Sequence, residues 1–410
     1  MPLKPLFEME AERPVRGAVG RTLSCPSCGL YRDALSPRMP PHGAGMAGLM
    51  TVGEGPGETE DKRGRPWQGK AGRTLSAALG RLGIDIEQDC VSINAVACRP
   101  PNNRDPTPHE LACCRRVSVM PAITSRHPRV VLLLGGSAVE SVVGAVYPDA
   151  AGAQIGRWRG WTVPVPEWGC WVCPTFHPSY INREDGRPEI RVIWEADIAR
   201  AVGLLDVPVP PAEDLRSMVT ILRTDDEVVE ALARVRQRRH PTAFDYETLG
   251  LRPQVQKLVC ASFSQSSNRV YSFMFRDGAD RVRSAWRDFL LDQQVPKISH
   301  NLKFEDAWSY HHFGVESINW HWDSMQAAHV LDNRPGINGL KLQLFLRFGV
   351  RPYDAVISPY LESTDKRDPR VPNRIWEFIE RYGEDEVLIY CGLDSLGGYR
   401  LAKLQMGEIE

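Results

Sequence analysis

The chain is 410 residues long, 42% hydrophobic and 25% charged, so it is too long for one ordinary core and too apolar for wholesale disorder; size arithmetic gives about 2.7 domains. Fifty basic against 51 acidic residues leave a net charge of −1, which excludes a uniformly basic nucleic-acid binder but leaves room for basic tracts beside acidic metal sites. No apolar run reaches the roughly 18 residues of a membrane span, and the opening MPLKPLFEMEAERPVRG has no apolar leader core, so a cytoplasmic chain without a membrane partner is expected.

In chain order, the first half alternates short apolar strands with helical patterns. Strands are expected at Gly48–Gly53, Cys90–Ala97, Arg129–Leu134 and Cys170–Phe176, and helices at Ala71–Leu82 and Ser137–Val146. This is the signature of an α/β, doubly wound, mainly parallel sheet. Each strand runs into a polar or glycine-rich segment (GEGPGE, CRPPNNR, GGS, HPSY), and ligands in such sheets sit beyond the carboxyl ends of the strands. Residues 36–48 (SPRMPPHGAGMAG) read as a loop.

Ten cysteines in a reducing compartment are expected as metal ligands or core residues. Cys25 and Cys28 form a CPSC pair, and Cys98 and Cys114 lie sixteen apart, the latter after the helix-start pattern TPHELACC. Four thiolates of this kind suit either zinc or an iron–sulfur cluster. Cys170 and Cys173 fall in a strand pattern and read as core, as do Cys90, Cys113, Cys260 and Cys391.

The blocks CPSCGL, GEGPGETEDKRGRPWQGKAGRTL, NAVACRPPNNRDPTPHELACC and TFHPSY, over about residues 20–205, resemble the family 4 uracil-DNA glycosylases in order and spacing. The resemblance implies a 4Fe–4S cluster on Cys25, Cys28, Cys98 and Cys114. It also implies a pocket that reads a flipped uracil: the Asn94 amide offers a donor and an acceptor to uracil N3 and O4, and His177 stabilises charge developing at O2. Ser179, in Pro178–Ser179–Tyr180, matches the family's loop that enters the minor groove. Trp67 stands where the family usually has Phe to stack on the base. Glu54 and Glu60 match positions implicated in catalysis, and Gly55 stands where other glycosylase families carry an aspartate.

The stretch Asp206–Asp214 (DVPVPPAED) is the clearest seam. It divides a glycosylase-like iron–sulfur domain (1–208) from a second domain (216–410) through a linker at 209–215. The second half opens with strands at Ala243–Glu247, Leu258–Ser264 and Arg269–Phe275, followed by a helix near Arg281–Leu291, a strand at Lys297–His300 and helices through Asp385–Leu404. This is an α+β pattern.

Asp245 and Glu247 are two apart and share a strand face. Glu305 follows Asn301 by one helical turn, and Tyr390 and Asp394 are four apart on one helix face. Gathered together, the four carboxylates would hold two Mg²⁺ or Mn²⁺ ions for phosphodiester hydrolysis, with Tyr390 orienting the attacking water. In the order D-x-E, H-N-x-K-F-E, W-D-S-M and Y-x-x-x-D, these motifs resemble the DEDD 3′–5′ exonucleases of the family A polymerase and ribonuclease D kind, in the tyrosine subgroup. That likeness implies a ribonuclease H-like fold. Glu305 stands where Asp is common, with Asp306 beside it as a possible substitute, and Asp323 reads as a secondary family residue or a helix N-cap.

The combined expectation is uracil excision fused to metal-dependent 3′–5′ hydrolysis of DNA, for quality control, with uracil-containing DNA and 3′ ends as partners and a polymerase lacking its own proofreading domain as a further one. The second reading is an exonuclease whose glycosylase-like half only binds DNA or uracil as a tether or replisome scaffold.

Overall fold

A computed structural model describes residues 23–150, 152, 154–183, 187–365, 367–368 and 370–409; the opening stretch read above for a leader lies outside them. It divides into two compact units. One comprises the described residues through Ala212 together with Phe345–Arg351, and the other Glu213–Leu344 with Pro352–Glu410. No helix among the described residues is long and apolar enough to cross a membrane.

The first unit has five strands: β1 (Leu49–Gly53), β2 (Cys90–Asn94), β3 (Val130–Leu134), β4 (Val163–Val165) and β5 (Cys170–Thr175). Its helices are α1 (Cys25–Cys28), α2 (Glu58–Arg63), α3 (Lys70–Gly80), α4 (Pro108–Cys114), α5 (Met120–Arg126), α6 (Gly136–Val142), α7 (Ile155–Trp158), α8 (Pro178–Arg183) and α9 (Pro188–Gly203). The strand order is β2-β1-β3-β5-β4, all parallel except the edge strand β4. Strands β1, β2 and β3 are buried at every residue, which is why they read as continuous apolar runs. Leu75 and Leu79 of α3 and Trp194 and Ile198 of α9 pack on one face beside Leu49, Val130 and Leu132, while α6 packs against β1 and β3. The chain leaves β1 toward β2 on one side and β3 lies on the other, so a crevice opens at their carboxyl ends.

Three local expectations are corrected. The second strand stops at Asn94, where the chain bends to bond Ala95 N to Gly53 O and Val96 N to Glu54 O. The helix expected at Ser137–Val146 ends at Val142 and tightens into a 3₁₀ turn. Pro178–Ser179–Tyr180 is the first turn of α8 rather than a loop, since the fixed φ of proline suits a helix start.

The second unit is a six-stranded mixed sheet in the order β11-β10-β7-β8-β9-β6. The strands are β6 (Val219–Ile221), β7 (Thr242–Thr248), β8 (Leu258–Ser264), β9 (Val270–Met274), β10 (Lys297–Ser299) and β11 (Trp320–Asp323). The helices are α10 (Asp225–Arg238), α11 (Asp280–Leu290), α12 (Leu302–Phe313), α13 (Ser324–Leu331), α14 (Leu340–Phe348), α15 (Ser358–Leu361), α16 (Ile375–Tyr382) and α17 (Glu384–Ile409). The expected antiparallel meander is β7-β8-β9. The alternation of TAFDYET turns Phe244 and Tyr246 into a core with α10 and α11 and sends Asp245 and Glu247 to the opposite face, against which α17 packs.

Trp286 of α11 centres that core. It is fully buried among Phe244, Phe263, Phe273 and Phe289, and its Nε1 donates to Tyr246 Oη at 2.7 Å. Trp286→Ala should therefore cost about 3–5 kcal/mol, read as a lowered urea midpoint by circular dichroism.

Candidate active sites

In the first unit, the carboxyl ends of β1, β2 and β5 bring Asn94, Trp67 and His177 together. A side chain at Gly53 would place its Cβ 2.4 Å from Asn94 Oδ1 and 3.0 Å from Trp67 Cη2, so glycine there leaves room for the amide and the indole. Trp67 has a left-handed backbone (φ 58), and its Nε1 donates to Thr51 Oγ1 at 3.0 Å, which in turn donates to Ser92 Oγ at 3.0 Å. This buried hydroxyl pair is how the sheet accommodates the larger aromatic. The Trp67 and His177 rings lie 5.6 Å apart at a 33° tilt.

The tautomer of His177 follows from its partners. Nδ1 accepts from the backbone N–H of Ser179 at 3.2 Å and lies 2.8 Å from Ser179 Oγ. An amide can only donate, so Nδ1 carries no proton and the neutral ring keeps its hydrogen on Nε2. Burial, reinforced by the Arg183 guanidinium, pushes the imidazole pKa down to about 4, so the ring is neutral at ordinary pH.

The two glutamates are engaged by backbone amides. Glu54, directly after β1, accepts from Ser137 and Gly136 at the start of α6, while its burial raises its pKa against those bonds. Gly135, at φ 102, makes the close approach possible, since a Cβ there would meet Glu54 Oε1 at 2.4 Å. Glu60 lies on α2 and its Oε1 accepts from Gly69 N at 2.7 Å, bracing the start of α3. Gly55 lies in the turn between β1 and α2.

The four thiols gather from three segments. Thr107 and Glu110 form a capping box at the start of α4, and Arg104 grips Glu110 with two bonds of 2.9 and 2.7 Å, orienting the helix that carries Cys114. Every sulfur receives an N–H. Arg38 N donates to Cys98 and Arg38 Nε to Cys25, each at 3.2 Å, while the amides of Leu30 and Ala97 serve Cys28 and Cys114. Leu30, Ala95, Val96 and Leu111 pack around the group. Burial, reinforced by the neighbouring thiols, raises the pKa of Cys28 and Cys98 and pushes that of Cys114 up to about 12. Four sulfurs, two buried and two half-buried, each with an N–H donor, fit a thiophilic metal centre. Cys90, Cys170, Cys173 and Cys260 are buried.

In the second unit, Asp245 and Glu247 on β7, Glu305 on α12 and Asp394 on α17 meet. Burial, together with one another's charge, holds the carboxyls of Asp245, Glu247 and Glu305 well above their ordinary range. Glu305 is 2% exposed and its Oε2 has no hydrogen-bond partner. Asp306 points elsewhere and accepts from Ser317 N at 2.8 Å, so Glu305 is the carboxylate at this centre. A buried acidic group with an orphaned oxygen fits cations, and one cation of the chain's own is already there. The Lys341 ammonium bonds Asp394 and lies 4.6 Å from the Tyr390 ring centre and 4.8 Å from that of Tyr353, whose hydroxyl donates to Asp394 at 2.5 Å. Asp323 supplies the scaffold. It accepts from Asn301 N and Leu302 N at 3.1 Å, from Met325 N at 2.9 Å and from Gln326 N at 3.2 Å, so one carboxylate caps α13 and pins the start of the Glu305 helix.

Sequence reasoning missed Lys341, Tyr353 and Arg183 because each is a single residue in an unremarkable pattern. It read Cys391 as core, and Cys391 is buried, though beside Asp245. A signal for its place at the acidic centre was available, since it lies three residues before Asp394 and so on the same helix face.

The Uracil DNA glycosylase superfamily model matches residues 40–197, and a 3′–5′ exonuclease model matches residues 219–348. A type-4 uracil-DNA glycosylase of Thermotoga maritima is 41% identical over 155 residues, covering 37% of this chain and 75% of its own. That of Archaeoglobus fulgidus is 33% identical over 184 residues, covering 44% and 88%. Escherichia coli RNase D, an exoribonuclease involved in structured RNA processing, overlaps 46% of this chain and 44% of its own, with 16% identity and a TM-score of 0.35. The chain belongs to the type-4 uracil-DNA glycosylase family and carries a 3′–5′ exonuclease domain behind its glycosylase domain.

Proposed function

We propose that the first unit excises uracil from DNA and that the second hydrolyses DNA from its 3′ ends, the two serving DNA quality control beside a polymerase that lacks proofreading. The observation that carries this reading is convergence within each unit, with an amide, an indole and a neutral imidazole at one sheet crevice and four carboxylates around one buried face. DNA is favoured over RNA as the shared substrate because uracil marks an error only in DNA.

In the pocket, Asn94 reads the uracil edge and Trp67 stacks on the extruded base. His177, held by Ser179 in the Nε2–H tautomer, donates to O2 as negative charge develops there. The amide contacts of Glu54 and Glu60 support a bracing role alongside the catalytic one that their family positions imply. Cys25, Cys28, Cys98 and Cys114 would hold a 4Fe–4S cluster, which would tie three segments together without entering the chemistry, since base excision needs no redox step. In the second unit Asp245, Glu247, Glu305 and Asp394 would hold two Mg²⁺ or Mn²⁺ ions, which would supply an activated water and neutralise the scissile phosphate. Tyr390 orients that water, and Lys341 holds Asp394 in place.

A single-stranded oligodeoxynucleotide with one uracil and a 5′ label separates the two activities. With EDTA present, alkali-labile cleavage at the uracil should persist while 3′ shortening disappears. Asp245→Ala should slow shortening at least about 100-fold, and unchanged shortening would sink the exonuclease assignment. Asn94→Asp or His177→Ala should slow uracil release by about 10²–10³. An RNA strand of the same sequence should be shortened more slowly than DNA.

The pH dependence follows from the depressed His177 pKa. The active neutral ring persists from alkaline pH down to about pH 4, so single-turnover uracil release should show no His177 break near pH 6.5. A fall centred there that vanishes in His177→Gln would contradict the depressed His177 pKa.

The purified protein should be brown and contain iron, with its broad visible absorbance lost in Cys98→Ser. Zinc without iron on elemental analysis would defeat the cluster.

A further inference from the structure

The acidic centre contains a donor that magnesium chemistry does not use. Cys391 is fully buried, and its Sγ lies 3.7 Å from the backbone oxygen of Asp245 and 4.0 Å from Asp245 Oδ2. Ligand atoms of Asp245, Glu247 and Cys391 all fall within 4.8 Å of one another. A sulfur and an oxygen on one tetrahedral zinc are about 3.5 Å apart, so a shift of a few tenths of an ångström brings the Asp245–Cys391 pair to that distance. The sulfur is not in an apolar shell either, for it lies 3.3 Å from Ser262 Oγ, which is itself 2.7 Å from Ser395 Oγ. A second observation is independent of the thiol. Glu305 Oε2 is buried without a partner, on a carboxyl whose foremost charged neighbour is Asp245.

We propose that Asp245, Glu247 and Cys391, with Glu305 at hand, form a site for a thiophilic dication such as Zn²⁺ or Cd²⁺ that displaces the hard metals and stalls the exonuclease. This rests on the exonuclease reading of the acidic centre. Magnesium and manganese prefer oxygen ligands, so Cys391 adds little to their affinity. Zinc and cadmium accept sulfur, and binding exchanges the thiol proton for the metal and releases it to solvent. The captured ion draws Asp245 and Glu247 toward the sulfur and away from a phosphate. Uracil excision in the first unit uses no dication and is untouched, so rising free zinc separates the two activities.

The test uses the full cluster-bearing chain, freed of dications by dialysis and titrated with Cd²⁺ or Zn²⁺ under reducing conditions, for the natural protein, Cys391→Ser and Asp245→Asn. Bound ion is counted by elemental analysis after equilibrium dialysis, and thiolate coordination is read from the cadmium charge-transfer band as a difference spectrum. Cys391→Ser should bind its ion at least about tenfold more weakly and lose that increment of the band. The zinc concentration that half-inhibits its Mg²⁺-dependent shortening should rise in proportion. Asp245→Asn, which keeps the sulfur, should also weaken the cadmium signal, so the site is testable even if the serine variant folds poorly. Equal ion counts, affinities and bands in all three proteins would overturn the proposal. A Cys391-dependent band in a protein without Mg²⁺-dependent shortening would uphold the metal site and bring down the exonuclease reading instead.

Discussion

Carboxylates that meet in a buried place repel one another and lose their hydration, so the chain must hold them there by other means. In the second unit the means are visible. Asp245 and Glu247 ride on an interior strand whose opposite face is locked by Phe244, Tyr246 and Trp286. Glu305 rides on a helix whose first turn is clamped by Asp323. Asp394 is tied to Lys341 and Tyr353. The aromatic core and the helix clamps therefore act on function by bearing the electrostatic load of the centre, which a bound cation would relieve.

The first unit meets a related difficulty with softer donors. Cys98 and Cys114 are buried and Cys28 half-buried, so these three thiols resist ionisation, and an N–H aimed at each sulfur offsets part of that cost. Its pocket depends on small hydrogen-bonded details: the Thr51–Ser92 pair that seats the indole, and the Ser179 amide that sets the imidazole tautomer.

Much of this was legible in sequence wherever the informative residues were close together. Asp245 and Glu247 two apart on a strand, and Tyr390 and Asp394 four apart on a helix, declare a shared face by periodicity alone. The parallel sheet was legible because strands covered on both sides must be apolar throughout. The short edge strands β4, β6 and β11 were not, since three or four residues carry too little pattern. Lys341 and Tyr353 were invisible because their meaning lies in a partner some 40 to 50 residues away. The alternatives for Glu305 and Asp323 could be separated only by seeing where Asp306 points and which amides Asp323 receives.

The long helix α17 has a consequence for synthesis. It brings Tyr390 and Asp394 to a strand laid down about 150 residues earlier, so during translation the nuclease centre stays incomplete until this segment clears the ribosome. The thiol ligands, all within the first 114 residues, emerge far sooner. A nascent chain thus lacks the complete acidic group while its four thiols are already available to a metal.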